Sequence, residues 1–155
     1  MEKEVVIVVK KPHDSGSYWT ETYQADQALD YICGIKKGIK IKGSYTLGAS
    51  TYYLSEKGME KIRKQYGDNL IVVLEDIERL TRKCSDIGYL EKLMQEKGFE
   101  FYFWYDKTHW GKDSSISEDY AIKSLIAYKE MRSKEQSEMT KNGMKKKEQF
   151  ENKGE

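Results

Sequence analysis

The chain has 155 residues, with 27 basic and 26 acidic side chains and a formal net charge of +1. That length suits a single domain burying about 68–70% of its unfolded surface, and the balanced charge excludes a chain drawn to polyanions by its overall field. Two cysteines without metal spacing, no apolar run of bilayer length and an M-E-K-E start unlike a signal peptide together predict a reduced, cytoplasmic protein without membrane contact.

Val5 to Val9 is β-branched throughout and predicts a strand buried on both faces, ended by Pro12. His13 to Tyr18 reads as a loop. Thr20 is placed to cap a helix with apolar positions Ala25, Ala28, Leu29, Ile32 and Ile35, closed by Gly34 and Gly38. Ile39 to Tyr45 alternates and predicts a more exposed strand. After a loop from Thr46 to Leu54, Ser55 is expected to cap a helix carrying Met59, Ile62 and Tyr66.

Asn69 to Met94 is the most informative stretch. The apolar run Leu70 to Leu74 stops at Glu75 and Asp76. Arg79 and Arg82 follow three residues apart, and Asp86 opens a helical pattern at Ile87, Leu90, Leu93 and Met94 that ends at Gly98. A buried strand, a polar loop and a helix in that order place two guanidiniums at a strand's carboxyl end, where open α/β sheets bind ligands. Their planar forks suit a phosphate. Asp76 and Glu78 are expected to be solvated rather than an acid/base pair.

Phe99 to Tyr105 is aromatic and predicts a strand packed in the core. Asp106 to Ser114 reads as a polar loop carrying His109 and a partly buried Trp110. Neither His13 nor His109 has a second ligand near it in sequence, so no metal and no cofactor is expected. Ser115-Ile116-Ser117-Glu118 is a capping box that starts a long helix with Ile122, Leu125 and Ile126 on its apolar face. Beyond Lys129 the apolar residues Met131, Met139, Met144 and Phe150 are too widely spaced for a continuous buried stripe. This part is expected to project, pair with another chain or fray. Alternating strands and helices predict a three-layer α/β fold with a mainly parallel sheet of four to five strands and a long C-terminal helix.

The run I-E-R-L-T-R at 77–82 resembles the L-D-R-L-S-R signature of serine site-specific recombinases, the resolvases, invertases and serine integrases. Val5 to Val9 resembles their first strand, Tyr23-Gln24 onward their first helix, Gly48 and Gly58-Met59 their glycine-containing loop and next helix. Ser137-Glu138-Met139-Thr140 through Gly143 resembles S-E-R-T-x-x-G of their dimerisation helix. The resemblance runs over roughly residues 5–145. It implies a resolvase-like domain at 1–116 and an oligomerisation helix with a charged tail at 117–155, with no separate DNA-binding domain.

In that family a serine at the end of the first strand, in the pattern Y-x-R-x-S, attacks a phosphodiester and cations stabilise the phosphate oxygens. Read without a gap, Lys10 stands at the arginine position and Pro12 at the serine position. A shifted register places Ser15 there instead, nine residues before Gln24, with His13 in the arginine position. Glu56-Lys57-Gly58 replaces an arginine-proline-glycine of the family, and Thr46 or Leu47 stands near its aspartate.

The resemblance therefore implies Arg79, Arg82 and Lys10 as phosphate-binding residues and Lys145, Lys146 and Lys147 as contacts to a DNA backbone. It implies a catalytically inactive partner or regulator of an active serine recombinase in a mobile element. Such a protein would be a homodimer or a hetero-oligomer formed through the helix at 117–145. The alternative is an active strand-exchange resolvase with Ser15 as nucleophile. A generic nucleotide-binding domain is a weaker third option, because neither G-x-G-x-x-G nor a Walker motif is present.

Overall fold

A computed structural model describes residues 2–12 and 19–153, with side chains described through residue 143. The chain runs β1 (Glu4–Lys10), α1 (Glu21–Ile35), β2 (Ile41–Leu47), α2 (Ser55–Tyr66), β3 (Leu70–Leu74) and the single-turn α3 (Ile77–Leu80). A 3-10 turn at Cys84–Asp86 leads into α4 (Ile87–Glu96), followed by β4 (Glu100–Phe103), β5 (Thr108–Trp110) and α5 (Ile116–Lys153).

The sheet order is β2-β1-β3-β4-β5. β1 pairs in parallel with both β2 and β3, β3 pairs in parallel with β4, and β5 returns antiparallel to β4. The unbroken apolar runs of β1 and β3 follow from this position, because neither face of a central strand meets water. Alternate side chains serve opposite faces. Val5, Ile7, Val9, Ile71 and Val73 pack with Ala28 and Ile32 of α1. Val6, Val8, Val72, Leu74, Phe101 and Phe103 pack with Met59 and Ile62 of α2, Leu90, Leu93 and Met94 of α4, and Ile122 and Ile126 of α5. Each such side chain removed from water stabilises the fold by roughly 1.5–3 kcal/mol. The result is three layers: α1, the five-stranded sheet, and the group α2, α4 and the first turns of α5.

Local sequence accounts for most of the boundaries. Thr20 caps α1 as expected, its hydroxyl accepting from the Tyr23 amide at 3.1 Å. The capping box at α5 forms both of its bonds, Ser115 amide to Glu118 carboxylate and Glu118 amide to Ser115 hydroxyl, each at 3.1 Å. Gly43 on β2 is fixed by close approach, since a Cβ there would lie 2.6 Å from the Tyr66 ring.

Several expectations are corrected. Ser55 does not cap α2. Leu54 occupies that position without a side-chain bond, and Ser55 takes φ +51° as the first helical residue. Ile35 is exposed rather than part of the α1 core face. The stretch after β3 is not all loop, because Ile77 and Leu80 bury themselves by forming one helical turn. The stretch after β4 contains β5, and Trp110 is fully buried. Its indole donates to the Asp119 carboxylate at 2.9 Å, tying β5 to α5. Asp119 also meets Lys123 at 2.8 Å.

α5 is one continuous helix to Lys153. Contact with the domain fades after Glu130, whose carboxylate accepts from the Cys84 amide at 3.0 Å. From Met131 to Gly143 every residue is exposed except the half-buried Ser133. Among the described residues no helix is long and apolar enough to cross a membrane.

Candidate functional site

The carboxyl ends of β1, β2 and β3 lie side by side, and the cations named from the sequence gather there. Lys10 is the last residue of β1 and is 9% exposed. Its backbone is gripped by Gln24 of α1. The Lys10 amide donates to the Gln24 carboxamide oxygen at 2.8 Å, and the Gln24 nitrogen donates back to the Lys10 carbonyl at 2.9 Å. The same nitrogen lies 3.2 Å from the Trp19 carbonyl. One buried side chain thus holds both ends of the connection between β1 and α1.

The Lys10 ammonium turns toward the loop that leaves β2. It donates to the carbonyls of Gly48 at 3.2 Å and Ala49 at 2.8 Å, and lies 4.9 Å from the centre of the Tyr52 ring. Burial, and then the positive charge of Arg79, push its pKa below the usual lysine value.

Arg79 leaves α3 and spans two elements. Its Nε donates to Glu75 at 3.0 Å and its Nη1 to the Tyr52 carbonyl at 3.1 Å, while the Arg79 carbonyl accepts from the Leu54 amide at 2.8 Å. Arg82 lies in the link between α3 and the 3-10 turn. Its guanidinium lies 5.4 Å from the Tyr52 ring centre and 5.8 Å from that of Tyr53. The nearest acid, Glu78, stands 3.9 Å from Nε, too far for a hydrogen bond, and that buried Nε has no acceptor among the described residues.

The backbone carrying Arg82 is held by a small polar lock. Thr81 is fully buried and its hydroxyl donates to the Asp86 carboxylate at 2.7 Å, while the Lys83 amide donates to that hydroxyl at 3.0 Å. Asp86 therefore faces Thr81 and does not cap α4.

Asp76 is not solvated as expected. It caps α3 by accepting from the Glu78 amide at 3.1 Å. Burial, reinforced by Glu75, Glu78 and Asp106 and opposed by Arg79, pushes its pKa up to about 6.

The geometry thus brings Lys10, Arg79 and Arg82 to one end of the sheet around Tyr52. Ser15 and His13 lie outside the described residues. Lys145, Lys146 and Lys147 fall on the far part of α5, where side chains lie outside them as well. His109 is separate, stacked on Tyr102 at 5.4 Å and 3.7 Å from Glu118. No group of three or more His, Cys, Asp or Glu side chains among the described residues could hold a metal ion.

Three participants were not legible as site residues. Tyr52 stands in the loop from Thr46 to Leu54, whose sequence does not point to the cations. Gln24 read as part of a helix, without the backbone it clasps. The Thr81–Asp86 bond joins residues of two separately read motifs.

A parallel sheet extended by one antiparallel edge strand, with two arginines beyond β3 and a long terminal helix, defines a recombinase-type α/β domain. The family described as "Resolvase, N terminal domain" matches residues 33–153, and the chain belongs to it. It is a resolvase-like serine recombinase domain of DNA recombination. Among solved structures, the N-terminal catalytic domain of TP901-1 integrase is 18% identical with a TM-score of 0.58, over 86% of this chain and 99% of that one. A resolvase family site-specific recombinase from Streptococcus pneumoniae is also 18% identical, with a TM-score of 0.55 over 96% of this chain and 99% of that one. At that identity the likeness concerns the fold. No curated protein matches the chain.

Proposed function

We propose that this protein is a catalytically silent recombinase subunit that pairs through α5 with an active serine recombinase of a mobile element, or with itself, and tunes DNA rearrangement in the cytoplasm. One observation carries the reading. Lys10 at the end of β1 is committed to the carbonyls of Gly48 and Ala49, and in the gapless reading of the family pattern it takes the arginine position while Pro12, without a nucleophile, takes the serine position. The family match covers residues 33–153, so β1 and most of α1 stand outside it.

An ammonium in place of a guanidinium loses the two-pronged grip on phosphate oxygens. With the nucleophile also gone, nearly all the rate enhancement goes. What remains is a phosphate-binding remnant, Arg79 and Arg82 with Lys10, that holds a DNA strand without cutting it. Lys145, Lys146 and Lys147 add salt-dependent contacts to the DNA backbone.

The second reading, an active resolvase using Ser15, draws on the Gln24 clasp. Gln24 bonds both Lys10 and the Trp19 carbonyl, the described residues on either side of the stretch that contains Ser15, and so ties that stretch to the end of β1 beside the cations. The two readings part on one experiment. The full chain is incubated with DNA carrying a recombination site of the host element, and the products are resolved by denaturing electrophoresis. The expected outcome is no covalent protein–DNA adduct. An adduct that disappears in Ser15→Ala sinks the silent-subunit reading.

A further inference from the structure

We infer that Tyr52 is a built-in gate on the cationic site: its ring occupies the place of a phosphate oxyanion and must swing out before one binds. The inference rests on the phosphate-site reading of Lys10, Arg79 and Arg82.

The ring is in contact range of two cations, 4.9 Å from Lys10 Nζ and 5.4 Å from the Arg82 guanidinium carbon. Two like charges converge on one aromatic face system because its quadrupole is negative over the faces. The ring is a weak substitute for an anion. It offers charge density to both cations but no acceptor atom to either.

The substitution leaves a specific deficit. Arg82 Nε is buried and has no hydrogen-bond acceptor among the described residues, and the Glu78 carboxylate stands 3.9 Å away. A buried donor left unpaired is costly, and a charge-assisted bond to an oxyanion is stronger than a contact with a half-exposed ring. The resting arrangement therefore withholds from Arg82 the kind of partner that a phosphate supplies.

Opening does not require the loop to unfold. The backbone around Tyr52 is pinned by Arg79 on the Tyr52 carbonyl, by the Leu54 amide on the Arg79 carbonyl, and by Lys10 on Gly48 and Ala49. Tyr52 is 48% exposed, so it is not locked in the core. Rotation about its first side-chain torsion withdraws it while the pins stay in place. The gate is a rotamer change, which exposed aromatic side chains make quickly.

The test uses the full isotope-labelled chain and inorganic phosphate as probe, with the Arg79 and Arg82 Nε–H signals followed by nuclear magnetic resonance. Tyr52→Ala is expected to bind phosphate about tenfold more tightly than the parent. Tyr52→Phe, which keeps the ring face, is expected to bind like the parent. Tyr52→Leu retains apolar bulk without the quadrupole and is expected to shift in the same direction as Tyr52→Ala, guarding against a loosened loop. Adding Arg82→Gln to Tyr52→Ala removes the gain. Equal affinity in parent, Tyr52→Ala and Tyr52→Leu, with binding still lost on Arg82→Gln, overturns the gate and leaves the phosphate site standing. No response of either arginine in any variant overturns the phosphate site, and the gate with it.

Discussion

Asp76 shows how one half-buried carboxyl group at the sheet's end constrains this protein. It caps α3 while surrounded by Glu75, Glu78 and Asp106, and its pKa is pushed up to about 6 from an ordinary 3.8. A group whose folded pKa is raised holds its proton more tightly in the native state. Stability is then greatest below pH 4 for this group and falls as pH rises from about 4 to 6, by up to about 3 kcal/mol. Asp76→Asn keeps an oxygen for the Glu78 amide and removes the ionisation. Chemical denaturation is expected to show Asp76→Asn more stable than the parent by about 1–3 kcal/mol at pH 7, with the gap closing at pH 4. A gap independent of pH would mean that the ionised carboxylate is tolerated at no cost.

At the scale of elements, α5 is joined to the domain by the Trp110–Asp119 bond and by Ile122 and Ile126. Asp119→Ala leaves the buried indole donor without its partner and removes the Lys123 contact. Urea unfolding is expected to show a loss of about 1–3 kcal/mol with an unchanged slope. Lys123→Ala breaks the half-exposed pairs with Asp119 and Glu91 and is expected to cost under about 1 kcal/mol.

The same region marks where the sequence stopped being legible. β1 and β3 announce themselves, because five adjacent apolar residues have few alternatives to a central strand. β5 is three residues long amid Lys, Gly and Asp, and becomes a strand only because β4 offers it a partner. Trp110 read as partly buried for the same reason. At the site, the R-x-x-R spacing after a strand located Arg79 and Arg82. Nothing local indicated that Arg79 would reach the Tyr52 carbonyl, or that Asp76 would be drawn out of water. Those depend on tertiary neighbours that periodicity does not encode.

For the whole molecule, the division of labour along α5 decides what association can do. The core ends near Glu130, and the residues beyond it add little to the fold of one chain. Light scattering coupled to size exclusion is expected to give a dimer for the full chain and a monomer for a chain ending at Lys129. The shortened chain is expected to keep a thermal midpoint within a few degrees of the parent, since few core contacts are lost. A full-length monomer would remove the basis for partnership through this helix.

That helix also acts as a mechanical amplifier. The part past Glu130 extends about 35 Å at 1.5 Å per residue. A tilt of only 5° where β5 and Asp119 grip its base, about 50 Å from the far end at that rise, would displace that end by about 4 Å, more than the reach of a hydrogen bond. Subtle repacking around one indole would then be felt as a change of register by whatever lies alongside the tip.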